Sequence, residues 1–236
     1  MAGVKTGISG QINNNIVTDG LVFYTDPAYK SSYSRTGTTT TDIVSQITGT
    51  GTGYTFDTSN QGILDFDGTS DYITCPDSSV TDPQTSFSLN IWVKLSALNR
   101  QHGLIEKYNW SSGLGNFTLR VTAANKVAFY TIVGFSYDEL ISNASVSQDI
   151  WYNFCVTQNH NTDTATIYIN GIQDNQSTSF DTGPADSTTT MKIGARGDDA
   201  SNRLQGKLSC VQIYHKALSA GEVLQNYQAQ KGRFGL

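Results

Sequence analysis

Three glutamates, Glu106, Glu139 and Glu222, are all this chain contains, and they lie far apart in sequence. Glycoside hydrolysis needs two carboxylates about 5–10 Å apart across a cleft, and no stretch of the sequence presents such a pair. The three histidines, His102, His160 and His215, are scattered, and no Gly-x-Ser-x-Gly elbow accompanies them, so no nucleophile–base order can be read. Cys75, Cys155 and Cys210 are widely spaced with no Cys-x-x-Cys pair, which argues against a structural zinc. Buried free thiols made in a reducing compartment are the favoured reading.

Oxygen ligands and aromatic rings remain. Calcium takes about 6–8 oxygens, and Asp26, Asp67, Asp71 and the Asp198-Asp199 turn could supply some. Turn chemistry accounts for the same residues without metal, because Asp favours such positions by bonding its own backbone, and the metal-free reading is preferred. Arg196-Gly197-Asp198 has the composition of an adhesion tripeptide, but at an expected hairpin tip Gly-Asp is turn chemistry. Sugar binding by stacking needs exposed aromatics beside amides and carboxylates. Tyr108 and Trp110, with Tyr137 nearby, lie in or near loops rich in Asn, Ser and Gly and are the candidate ligand-binding rings. Plain loop packing is the competing reading.

These residues are positioned by a chain that reads as strand after strand. Phe87, Leu89, Ile91 and Val93 alternate with Ser88, Asn90 and Lys94, the pattern of a strand with one face in a core. Trp92 falls on the second face, which is therefore not purely solvated. Further strands are expected at 21–24, 103–108, 116–122, 126–132, 151–158, 164–170, 191–194 and 204–214, with a short edge strand at 54–56. Ile63–Ile73 reads as a hairpin around Asp67-Gly68, and Asn170-Gly171 as a second hairpin turn. Residues 30–60 otherwise carry little period. One helix closes the chain: Ser219 and Glu222 form a capping box, Ala220, Val223, Leu224 and Tyr227 form an apolar stripe, and Gly232 ends it. Ten or more short strands and one terminal helix mean a sandwich or barrel.

Composition agrees. The 236 residues suit one all-β domain, and 22 glycines with only 15% charged residues suit strands joined by tight turns. Net charge is −5 with no basic run, so nucleic-acid binding is not expected. No apolar run approaches the ~18 residues of a membrane span, and no apolar signal core follows Met1. Sequons at Asn109, Asn116, Asn143 and Asn175 are expected by chance in such a composition. Residues 1–19 are polar and read as an N-terminal arm, followed by a single domain over 20–236.

Five motifs in order carry a resemblance: Gly20-Leu21-Val22-Phe23-Tyr24-Thr25-Asp26; Phe66-Asp67-Gly68-Thr69-Ser70-Asp71-Tyr72-Ile73; Phe87 to Lys94 with Trp92-Val93-Lys94; Trp151 to Val156 with Tyr168-Ile169-Asn170-Gly171; and Ile213-Tyr214 followed by Ala217-Leu218-Ser219 and the helix. Together they resemble the laminin-G-like, concanavalin A-like jelly-roll family over residues 20–235. The resemblance implies an antiparallel β-sandwich with one short C-terminal helix, and it places Trp92 and Trp151 in the core. Hydrolases of that fold carry Glu-x-Asp-x-x-Glu on one strand, which is missing here, so no enzyme activity is expected. The family's late strand commonly carries an acidic pair where this chain has Ser209 and Cys210. The opening segment 16–24 and the closing segment 223–236 resemble versions of the domain encoded by tailed phages. That implies a virion structural protein, either a capsid decoration, a head fibre or a tail adhesin, assembled in the host cytoplasm. Its implied partners are other capsid subunits and host surface glycans. A homo-oligomer, with a trimer favoured, would hold the arm. A glycan-active hydrolase or lyase and a free cellular lectin are the rival readings.

Overall fold

The computed structural model describes residues 15–83, 85–197 and 201–236. In chain order the strands are β1 (Leu21–Thr25), β2 (Thr39–Thr41), β3 (Thr48–Thr52), β4 (Thr55–Asp57), β5 (Ile63–Asp67), β6 (Tyr72–Cys75), β7 (Ser86–Leu95) and β8 (His102–Asn109). There follow β9 (Leu114–Val121), β10 (Lys126–Val133), β11 (Ser136–Ser145), β12 (Trp151–Asn159), β13 (Thr164–Ile169), β14 (Ile172–Ser177), β15 (Met191–Ile193), β16 (Gln205–Tyr214) and a helix α1 (Ala220–Gln230). They form two antiparallel sheets. Sheet A runs β14-β13-β12-β7-β16-β5-β4, with β1 also on β16, and sheet B runs β11-β10-β9-β8-β15-β6-β3-β2. The architecture is the expected sandwich.

The inter-sheet core is built by alternation. Phe87, Leu89, Ile91 and Val93 of β7 are fully buried against rings such as Phe117 and Phe129 from sheet B. On the other face Ser88, Asn90 and Trp92 are buried too, which an amphipathic strand does not require, and Lys94 is half-buried. Trp92 lies in a second core on the outer side of sheet A, with Trp151, Cys155, Tyr168, Cys210, Tyr214, Val223 and Phe234. Asn90 and Asn153 reach the same depth because they bond side chain to side chain: Asn153 Nδ2 donates to Asn90 Oδ1 at 2.9 Å, and Asn90 Nδ2 donates to Gln212 Oε1 at 2.6 Å. Buried amides are tolerable when paired in this way. All three cysteines are buried free thiols.

Helix α1 forms the lid of that second core. Its capping box is present, with Glu222 N–H donating to Ser219 Oγ and the Glu222 carboxylate accepting the Ser219 N–H. The buried face overlaps the expected stripe in part. Val223 is buried and Tyr227 packs half-buried on the same core, but Ala220 and Leu224 are exposed, and Asn226 and Gln230 dock instead. Polar chemistry turned the helix: Asn226 accepts the Val17 N–H at 2.8 Å and donates to Tyr214 Oη at 3.0 Å, while Gln230 accepts the Trp92 indole N–H at 2.9 Å. Ile16 and Val17, part of the expected arm, are buried in this core; residues 1–14 lie outside the described residues.

Two expected hairpins are instead crossings between sheets. The Asp67-Gly68 turn joins β5 of sheet A to β6 of sheet B. Side chains hold it where a ladder would have: Asp67 accepts N–H bonds from Thr69 and Ser70, and Asp71 accepts the Asp67 N–H. Segment 194–204 likewise carries the chain from β15 in sheet B to β16 in sheet A. Asp198 and Asp199 lie outside the described residues. The Asn170-Gly171 hairpin is as expected, with both residues at positive φ between β13 and β14. Strands β2, β3 and β11 were not expected. No helix among the described residues is long and apolar enough to cross a membrane.

Candidate functional site

The outer face of sheet B carries a row of rings and charges. Register places Glu139, Tyr130, Thr118, Glu106 and Lys192 side by side across β11, β10, β9, β8 and β15, and paired residues share a face. Trp110, in the turn after β8, leans onto this row. Its ring stands edge-on to Tyr108 at 4.7 Å and to Tyr130 at 6.4 Å. Tyr137 extends the row outward, 5.9 Å from Tyr130 and 55% exposed. The Arg120 guanidinium lies 4.9 Å from the Trp110 ring centroid and 4.7 Å from that of Tyr130, and Arg196 lies 5.3 Å from Trp110. Cations over such faces are attracted by the ring quadrupole.

Beneath these groups sits Glu106, 1% exposed. Arg120 Nε stands 3.5 Å from its Oε1, and the Gly197 N–H donates to its Oε2 at 3.3 Å. Gly197 can come this close because it lacks a Cβ, which would fall 2.1 Å from the Tyr108 carbonyl oxygen. Burial pushes the Glu106 carboxyl up to about 7, against the opposing pull of Arg120, Gly197, Trp110 and Arg196. Between pH ~4.5 and ~7 the folded state therefore holds a proton that the unfolded state has lost. Stability is expected to fall as pH rises through that window, with a slope approaching 1.4 kcal/mol per pH unit, about the limit for one group. Glu106→Gln should flatten the curve. Urea midpoints measured from pH 4 to 8 test this, and identical slopes for the two proteins would refute it.

The sequence candidates separate on this map. Tyr108 is 1% exposed and donates its hydroxyl to the Gly134 carbonyl, so it has no ring face open to a ligand; the expectation of stacking there is corrected by its burial. Trp110 is half-buried and engaged by guanidinium groups. Tyr137, Tyr130, Arg120 and Glu139 join it, and the open ring is that of Tyr137.

The oxygen ligands are occupied within the fold. Asp26 is 2% exposed and accepts two bonds from Arg233 Nη1, at 2.9 and 2.7 Å. Asp67 and Asp71 are used by the crossing between sheets described above. Hydroxyl and amide donors from Thr69 and Ser70 hold the Asp67 carboxyl far below the usual carboxylate range. Among the described residues no three His, Cys, Asp or Glu side chains cluster to hold a metal ion.

A family model described as the concanavalin A-like lectin/glucanases superfamily matches residues 67–224. Among solved structures, the chain is similar to the binding domain of botulinum neurotoxin serotype G, with TM-score 0.68 and 17% identity over 89% of this chain and 51% of that one. It is similar to the binding domain of Paraclostridial mosquitocidal protein 1, with TM-score 0.70 and 15% identity over 88% and 52%. It is also similar to the binding domain of botulinum neurotoxin DC in complex with SialylT, with TM-score 0.70 and 13% identity over 90% and 52%. At these identities the likeness is one of fold. The chain spans about half the length of each of these structures. No curated protein sequence matches it.

Proposed function

This chain belongs to the concanavalin A-like lectin/glucanases superfamily, and on that premise we propose that it is a non-catalytic glycan-binding module of a virion structural protein. The observation that carries the binding reading is the aromatic row ending in the exposed ring of Tyr137, next to Tyr130, whose ring carries the Arg120 guanidinium and whose hydroxyl donates to Glu139. An exposed ring next to a carboxylate is the chemistry that grips a sugar by its apolar face and its hydroxyls. That one structure of similar fold is a complex with SialylT is in keeping with this.

The rival, hydrolysis, would draw on Glu106, whose raised pKa suits a general acid. Its side chain is buried, however. Glu139 stands three strands away in the same row, roughly 14 Å at about 4.8 Å per strand, beyond the ~5–10 Å that either hydrolytic geometry uses. On a glycan array followed by titration calorimetry, Tyr137→Ala should weaken binding about tenfold or more, since one stacked ring contributes on the order of 1 kcal/mol or above. Its melting temperature should not change. Binding equal to wild type, or sugar release abolished by Glu106→Gln, would count against the proposal.

The virion assignment rests on the likeness of segments 16–24 and 223–236 to phage-encoded domains. It carries with it assembly with capsid subunits as a decoration, fibre or adhesin. A homotrimer held by the N-terminal arm, residues 1–19, belongs to the same proposal. Light scattering of the full chain and of a 15–236 truncation tests this: a trimer that becomes a monomer is expected, and a monomeric full chain refutes it.

A further inference from the structure

At the far side of the molecule from the aromatic row, two cavities open beside the β4 edge of sheet A. One, of about 320 Å³, is lined by Ala28, Tyr29, Arg35, Phe56, Thr58 and Gln61. The other, of about 240 Å³, shares Ala28, Tyr29 and Gln61 with it and runs on to Asp26, Gln228 and Arg233. The shared residues make them one trough, of the size of small-molecule sites, roughly 300 Å³ and upward. We infer that this trough is a second binding site, for a neutral saccharide, independent of the Tyr137 row.

Three features support the inference. The walls come from three distant segments and are fixed before any ligand arrives. Arg233 donates to the Gly62 carbonyl at 2.6 Å, to the Asn60 carbonyl and to both Asp26 oxygens, and Asn60 Nδ2 donates back to the Arg233 carbonyl at 2.7 Å. A site held in this way loses little entropy on binding. The backbone at its rim is strained. Among the described residues only Arg35, Gln46 and Gln61 take a positive φ without being Gly, Asn or Asp, and two of the three, at φ 71 and 65, line this trough. Side chains held in so sparsely populated a conformation concentrate at functional sites.

The lining also selects a chemistry. Tyr29 offers ring surface for the apolar face of a pyranose, while the Phe56 ring is covered by Arg35. The Gln61 and Gln228 amides and the Thr58 hydroxyl can both donate and accept, as sugar hydroxyls require. Asp26 and Arg233 are paired and offset each other, and Arg35, over the Phe56 ring at 5.6 Å, adds one positive charge at the rim. The amides and the hydroxyl beside it match a polyhydroxylated ring.

The test is an amide NMR titration of the full chain with maltotetraose, cellotetraose, laminaritetraose and chitotetraose. At millimolar concentration at least one should shift the Gln61 and Gln228 side-chain amide signals. The shifts should persist in Tyr137→Ala. Gln61→Gly removes the side chain while keeping a residue that accepts positive φ, so the fold should stand, and affinity should drop by about tenfold or more. The inference is overturned if none of the four sugars moves these signals, if Gln61→Gly binds as wild type, or if all shifts map to the Tyr137 row. That last outcome would leave the proposed function standing.

Discussion

Arg233→Met is expected to lower the free energy of unfolding by about 3–5 kcal/mol, the usual cost of removing one partner of a buried ion pair. The substitution keeps the bulk of the side chain but leaves the Asp26 carboxylate 2% exposed with no counter-charge. Its remaining partners, the Ala28 N–H, the Tyr24 hydroxyl and the Cys210 thiol, are neutral. The Asn60 and Gly62 carbonyls lose their donors as well. The deficit comes from a carboxylate left buried without its cation. Adding Asp26→Asn to the variant should recover much of the stability at pH 7. Urea melts of both variants at pH 7 read this out, and a deficit under ~1 kcal/mol would rule the account out.

Trp92→Ala should be comparably damaging, about 3–5 kcal/mol, from lost burial plus the cavity left behind. The indole is fully buried, stacked on Phe234 at 4.1 Å and near-parallel to Tyr227 at 5.8 Å. Its N–H donates to Gln230, so truncation also strands a buried amide. The effect should be local before it is global. Amides of 220–230 should lose exchange protection first, because an eleven-residue helix is unstable without its docking face. Leu224→Ala, on the exposed side of the same helix, should change stability by no more than ~0.5 kcal/mol. Equal losses at positions 92 and 224 would mean the helix docks through a different face.

The contrast between 92 and 224 also shows what the sequence makes legible. Strand β7 could be read because its inward residues are large and alternate strictly. Strand β3 could not, since its inward positions are Gly49 and Gly51. A Cβ there would strike Ile73 at 2.7 Å or the Tyr54 ring at 1.9 Å, so the alternation exists in space without any apolar letter to mark it. The helix face was misjudged because Asn226 and Gln230 count as polar in a pattern, yet are buried once Val17, Tyr214 and Trp92 supply partners. The Asp67-Gly68 segment has the letters of a hairpin turn, and only the pairing of its flanks with different sheets distinguishes a crossing. At the candidate site, Trp110 could be picked out by type alone. Tyr130, Arg120 and Glu106 come together through the register of three strands, which no local pattern records. The trough is further from view, drawn from segments near 28, 60 and 230 that share no motif.

The position of β16 has a consequence for how the molecule is made. Among the described residues β1 pairs with no other strand, and its register, from Leu21 against Tyr214 to Thr25 against Val211, joins stretches almost a full chain length apart. At synthesis rates of about 5–20 residues per second, β1 waits on the order of 10–40 s for its partner to be translated. Sheet A also lacks the strand that joins β7 to β5 until then. The sandwich is therefore completed late, by a contact of very high sequence separation, which is the kind that slows folding most. During that interval the apolar face of β1 is exposed, and holdase-type chaperones that cover nascent strands should matter more to the yield of this protein than its final stability suggests.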